Sequence, residues 1–268
     1  MQFWKYHGAG NDFILIDGRK EWPFEASHYE LVAQLCHRRF GIGADGLMVL
    51  THHPSSDFEM HYYNSDGRPS SMCGNGGRCI VAFASALGIS PASSDGLYRF
   101  MAVDGLHRAL ILDDGQVKLE MLDVQEVERN NDDYILDTGS PHYVRIVDDV
   151  DDIDIVPEAH QIRYGERFSD EGINVNFVQL VDECSLSIRT YERGVEAETY
   201  ACGTGVVAAS VVQASLMGAG NHRFHIAAKG GPLQVDLSWD GQRARSIWLI
   251  GGASFVYKGF IELDEFHT

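Results

Sequence analysis

The chain has 268 residues, 44% of them hydrophobic, enough for one large core or two ordinary ones. Its formal net charge of −18 at pH 7 argues against nucleic acid and anionic membrane surfaces, whose partners carry basic footprints. Glycine is plentiful at 28, proline modest at 7, and no segment is low-complexity or collagen-like.

The first residues, Met1–Gly10, lack the basic-then-apolar pattern of a signal peptide. No apolar run approaches the ~20 residues a membrane span needs. Short strands are expected at Phe3–Tyr6, Ile14–Ile16, Leu47–Leu50 and Glu59–Tyr63, broken by glycine and polar clusters. Ser27-x-x-Glu30 reads as a capping box opening a helix to about Arg38, before Gly41. After Cys73, the stretch Asn75–Leu87 predicts a helix stopped by Gly88, and Thr204–Met217 predicts its twin, stopped by Gly218. Leu106–Leu112 and Val117–Met121 form a hairpin across Asp114-Gly115, with Leu233–Trp239 and Arg243–Ile250 as counterparts across Asp240-Gly241.

These parallels obey a fixed spacing. Gly10-Asn11-Asp12-Phe13 resembles Gly139-Ser140-Pro141-His142, an offset of 129 residues. The same offset carries Gly43 to Gly172, Tyr62 to Tyr191, Cys73 to Cys202, Gly74 to Gly203 and Gly76 to Gly205. One offset across separated motifs implies two copies of one fold. The expected class is α+β: two pseudo-symmetric domains from an internal duplication, each a curved, mostly antiparallel β-sheet or barrel around a central helix. Residues 1–120 carry Cys73 and residues 121–268 carry Cys202, with the last strand a candidate to return to the first domain.

The chemistry sits in Cys73-Gly74-Asn75-Gly76 and Cys202-Gly203-Thr204-Gly205, each a thiol just before a helix start. Free N–H groups and the positive end of the helix dipole favour a thiolate there, so the cysteine pKa is expected to fall. The glycines allow close approach of a ligand and turn N–H groups toward an anion. Two such loops on either side of one carbon suit inversion, one thiol removing a proton from one face and the other delivering one to the opposite face. A single cysteine before a helix is more often a small buried hydrophobe; the matched pair is what points to chemistry. Cys73 and Cys79 lack the close spacing of a zinc site, so no metal is expected. Lys5, Lys20, Lys118, Lys229 and Lys258 lie in no cofactor motif, and nothing demands pyridoxal phosphate or a nucleotide. Five cysteines, an odd number at scattered spacings, argue for reduced thiols and a cytoplasmic location, with Cys36 and Cys184 expected in the core.

His7-Gly8-Ala9-Gly10-Asn11-Asp12-Phe13, Gly41-Ile42-Gly43-Ala44-Asp45-Gly46, Asn64-Ser65-Asp66-Gly67 and Met72-Cys73-Gly74-Asn75-Gly76 resemble the motifs of the diaminopimelate epimerase family, whose broader fold includes the proline racemases. Pro141-His142, Asn174-Val175, Glu192-Arg193-Gly194 and Glu198-Thr199-x-Ala201-Cys202-Gly203-Thr204-Gly205 extend the resemblance over the whole chain. It implies Cys73 and Cys202 as the acid–base pair, with Gly74, Asn75, Gly203 and Thr204 on the reacting carboxylate. Asn11, Asn64, Asn174, Glu192 and Arg193 would bind the rest of the substrate, and His142 and Glu192 would flank and tune the thiols. The implied reaction interconverts LL- and meso-2,6-diaminopimelate without a cofactor. The expected partner is that small molecule, with no nucleic acid or membrane, and a homodimer is the expected assembly. Ser140 replaces the family's usual asparagine, Gly46 a glutamine of some members, and Glu192–Cys202 is one residue longer than usual. Rival readings are another amino-acid racemase or epimerase of this fold, or a non-catalytic thiol or ligand-binding protein. Proline-type substrates are disfavoured because a histidine is then expected at the position of Asn75.

Overall fold

A helix that is apolar on nearly every side has to be enclosed, and the chain contains two. The computed structural model describes residues 1–24 and 28–263. It divides into two compact units, Met1–Leu119 with the chain from Gly252 onward, and Glu120–Gly251.

The first unit holds β1 (Gln2–Gly8), β2 (Asn11–Asp17), α1 (Tyr29–Cys36), β3 (Gly46–Thr51), β4 (Phe58–Asn64), α2 (Gly74–Ala86), β5 (Tyr98–Ala102), β6 (Gly105–Ile111) and β7 (Val117–Glu120). The second holds β8 (Glu128–Asn130), β9 (Asp133–Asp137), β10 (Pro141–Ile146), α3 (Ile155–Arg163), β11 (Asn174–Leu180), β12 (Ser185–Glu192), β13 (Ala197–Thr199), α4 (Gly203–Met217), β14 (Gly220–Ala228), β15 (Gly231–Trp239) and β16 (Ala244–Gly251). The final strand, β17 (Ser254–Phe260), pairs antiparallel with β1.

Neighbouring strands follow one order in both units. In the first it is β17, β1, β2, β3, β4, β5, β6, β7, with β2–β3 and β4–β5 parallel and the rest antiparallel. In the second it is β8, β9, β10, β11, β12, β14, β15, β16, with β10–β11 and β12–β14 parallel. β8 thus does for the second unit what β17 does for the first. Each unit wraps its sheet about one helix: α2 packs against β1, β2, β3 and β6, and α4 against β9 to β12 and β14 to β16. Burial on all sides follows from composition, since Val206 to Ala214 of α4 are buried without a break.

Two expectations need correction. Helix α1 begins at Tyr29 with His28 as its N-cap and no side-chain cap bond; Ser27 of the expected capping box lies outside the described residues. It ends at Cys36, short of Arg38, because the N–H groups of Gly43 and Ala44 take the carbonyls of Leu35 and Cys36 and turn the chain away. Cys184 is not in the core. It is exposed in the turn before β12, where its N–H donates to Asp182 Oδ1 at 2.8 Å, and the buried alternation of β12 starts only at Leu186.

Burial pushes the Cys36 thiol up to about 12, and pushes that of Cys79 up further. Iodoacetamide should therefore label Cys184 in the native protein while Cys36 and Cys79 stay unmodified until denaturant is added. Peptide mass mapping checks this, and native labelling of Cys79 would contradict it.

Candidate active site

Each central helix begins at one of the paired cysteines. Cys73 is the N-cap of α2, with extended backbone, and its Sγ accepts the Gly76 N–H at 3.2 Å. Cys202 is the N-cap of α4, and its Sγ lies 3.3 Å from Thr204 Oγ1. The fourth residue of each motif is glycine for a different reason in each unit. A Cβ on Gly76 would sit 3.1 Å from Cys73 Sγ, so glycine keeps the amide open to the sulfur. A Cβ on Gly205 would sit 2.4 Å from Asn176 Oδ1, so there glycine admits a buried amide beneath the first turn.

In the first unit a chain of side chains runs away from Cys73. Asn75 is buried, and its Oδ1 accepts from Arg78 Nη2 at 2.8 Å. Its Nδ2 donates to Asn11 Oδ1 at 3.3 Å, and Asn11 Nδ2 donates to Asp45 Oδ2 at 2.8 Å. Cys73 Sγ lies 4.0 Å from the same Asn11 oxygen. The direction is fixed from both ends, because a guanidinium can only donate and a carboxylate can only accept. Arg78 also donates to the carbonyls of Gly74 and Gly252, and among the described residues no carboxylate pairs with it although it is wholly buried. Burial pulls its pKa down, opposed by the neighbouring Cys79 and Cys73. Asn64 lies apart from this chain: it is exposed, and its backbone closes a turn through Gly67 and Arg68.

In the second unit Asn174 is buried on β11, level with His142 of β10. It donates to Ser140 Oγ at 2.9 Å and to the Pro141 carbonyl, and its Oδ1 accepts the Arg193 N–H at 2.9 Å. The exposed Arg193 guanidinium donates to the Glu171 carbonyl at 3.1 Å and reaches Ser140 Oγ at 3.5 Å. Glu192, half-buried at the end of β12, lies level with Ala197. The turn that follows is tied down by Glu196, whose carboxylate accepts from Gly194 N–H, Arg163, Tyr164 and Tyr191. Thr138, also buried, donates to the Thr204 carbonyl at 3.1 Å. His142 is wholly buried; burial first, and Arg193 second, hold its pKa down to about 3, so the ring is neutral.

Contacts therefore join Asn11, Cys73, Gly74 and Asn75 in one unit, and Asn174 with Arg193, and Cys202 with Thr204, in the other. Arg78, Asp45, Thr138 and Asn176 were not among the sequence candidates. Arg78 carried one signal, a lone charge inside an apolar helix. Asn176 carried another, standing two residues from Asn174 and so on the same strand face. Among the described residues no group of three or more His, Cys, Asp or Glu side chains is placed to hold a metal ion, and no helix is long and apolar enough to cross a membrane.

This eight-strand order about a central helix, used twice, is a fold found in other solved proteins. A phenazine biosynthesis protein of the PhzF family from Bacillus anthracis superposes with a TM-score of 0.71 at 12% identity, covering 98% of this chain and 99% of its own. A probable proline racemase from Agrobacterium radiobacter gives 0.69 at 16% identity, covering 99% and 94%. Sequence similarity is narrower and decides the family. The diaminopimelate epimerase family model matches residues 3–126 and 134–256, and the chain belongs to that family. The diaminopimelate epimerase of Flavobacterium psychrophilum is 43% identical, covering 96% of this chain and 99% of its own, and that of Chlorobaculum tepidum is 41% identical with the same coverage.

The Asn11 anchor rests on a charged cluster. Asp12 pairs with Lys5 at 2.6 Å and Arg38 at 2.7 Å, and Arg38 also pairs with Asp45 at 2.6 Å. Burial opposes the Asp12 carboxylate, yet Arg38 and Lys5 prevail and hold its pKa down to about 2, from an ordinary 3.8. A depressed pKa stabilises the fold above the unfolded value and loses that contribution as pH falls through the folded one. Asp12→Asn should therefore cost on the order of 1–2 kcal/mol at neutral pH, allowing for solvent screening. In urea titrations the difference from wild type should shrink as pH falls from about 4 toward about 2. A difference that does not change with pH would show that the charges are not the source.

Proposed function

We propose that the chain interconverts LL- and meso-2,6-diaminopimelate without a cofactor, using the thiols of Cys73 and Cys202. The observation that carries this reading is that each unit caps its buried central helix with a cysteine. Inversion at Cα needs one group to take the proton and another to return one to the opposite face. A thiolate accepts the Cα proton and becomes a thiol; the second thiol gives its proton to the other face and becomes a thiolate. The charge that builds on the substrate carboxylate in between suits the backbone N–H groups of the two first helical turns, at Gly74, Asn75, Gly203 and Thr204.

The remaining roles follow from donor and acceptor type. Asn11, Asn64 and Asn174 offer directed amide groups, Arg193 a guanidinium suited to a distal carboxylate, and Glu192 a carboxylate suited to an ammonium group. His142 and Glu192 tune the thiols in this reading. A cytoplasmic location and a homodimer complete it. In support of a second copy, β17 pairs with β1 alone among the described residues and exposes Phe255, Val256, Tyr257 and Phe260 along its length. Such an open apolar edge invites pairing. Light scattering should give twice the chain's 29.8 kDa; a monomer at micromolar concentration would remove that part of the reading.

The central test is kinetic. Wild-type protein in deuterated water should place deuterium at Cα of diaminopimelate as it epimerises. Cys73→Ala and Cys202→Ala should each lower turnover by more than about a thousandfold, on the scale of a lost acid or base, with the circular-dichroism spectrum unchanged. Either variant turning over within tenfold of wild type would rule out the two-thiol mechanism.

A further inference from the structure

Asn176 is wholly buried on β11, and its three hydrogen bonds can be assigned although no proton is seen. The Tyr143 carbonyl can only accept, so the side-chain atom 3.0 Å from it is the amide nitrogen. That same nitrogen lies 3.0 Å from His142 Nδ1, which must therefore accept as well. At the other end, the Thr190 hydroxyl, directly opposite in the β11–β12 ladder, donates to Asn176 Oδ1 at 2.9 Å. Turning the amide over would set its oxygen against the carbonyl of Tyr143, so the network fixes one orientation.

The consequence falls on the imidazole. With Nδ1 accepting, the single proton of the neutral ring sits on Nε2. Nε2 is buried and has no hydrogen-bond partner among the described residues. A buried donor left without a partner is costly, and a thiolate or a substrate oxygen would satisfy it. Asn176 is also placed against the thiol-bearing helix, since the absent side chain of Gly205 is what makes room for its oxygen.

We propose that Asn176 is a positioning residue that locks His142 as the Nε2–H tautomer, so that the imidazole acts as a neutral hydrogen-bond donor and not as a base. This rests on the epimerase reading above. A thiol that becomes the resting thiolate gives its proton to solvent water, and no thiolate–imidazolium pair forms. Thr190 serves the same end by holding the amide oxygen.

The test reads the ring directly. Full-length protein with 15N-labelled histidine should show His142, assigned by its loss in His142→Gln, with a protonated Nε2 and a bare Nδ1 at neutral pH. Asn176→Asp replaces the amide with an acceptor of the same shape and should draw a proton to Nδ1. It should lower kcat at least tenfold and leave KM within about twofold. Should that variant fail to fold, Asn176→Ala removes the donor to Nδ1 outright and should yield a mixture of tautomers with a loss in kcat. A wild-type spectrum with Nδ1 protonated, alone or together with Nε2, in an active enzyme overturns the proposal and leaves the epimerase reading intact. A folded Asn176→Asp protein with wild-type kcat overturns it too. Wild-type protein showing Nε2–H but exchanging no Cα proton overturns the epimerase reading, and the role of the imidazole with it.

Discussion

A helix start leaves backbone N–H groups without partners, and burying such an end is costly unless something answers them. The protein buries two, those of α2 and α4, and most of what distinguishes its sequence serves them. Cysteine takes the cap position, although serine, threonine, aspartate or asparagine would hold a helix better. Glycine follows at two of the next three positions. Around them lie five of the polar side chains that the core tolerates: Asn75 and Arg78 in the first unit, Thr138, Asn174 and Asn176 in the second. Each is tied by hydrogen bonds, as a buried polar group must be.

The two units share a scaffold but not a lining. At the offset of 129, the apolar Phe13 matches His142, Asp45 matches Asn174, and Asn64 matches Arg193. The first unit fixes its amide chain between a guanidinium and a carboxylate, whereas the second fixes its own between a hydroxyl and a carbonyl. Symmetry of the backbone suits a reaction that treats both faces of one carbon alike. Asymmetry of the side chains suits a substrate of which only one end reacts.

The fold was legible because the repeat marks positions where backbone geometry leaves little choice of residue. Gly10 and Gly139 have φ of 82° and 97°, and Gly43 and Gly172 have 80° and 73°, a region that side chains avoid. Such glycines persist in both copies, and their spacing carried the architecture. The cysteines were legible because they recur at the same offset, each before a helix start. Arg78 and Asn176 were not, because each acts within one copy and has no twin at the offset: Val207 and Leu47 stand there instead. Their importance comes from long-range burial and from which atoms they meet, and no local pattern encodes that. Cys184 misled in the opposite way, since its flanking residues alternate like a strand while the Asp182 turn holds it in solvent.

The return of β17 to β1 sets a condition on biosynthesis. The amino group of Met1 donates to the Ile261 carbonyl, 260 positions away, and β1 gains its outer partner only from residues 254–260. The second unit takes its corresponding strand, β8, from just ahead of β9, so every piece it needs has emerged once Gly251 leaves the ribosome. The half translated first is thus completed last. Until then it carries an unpaired strand edge beside β1, a surface prone to wrong partners. A released chain that stopped between Gly251 and Ser254 would hold every strand of the second half and leave the first without its outer one.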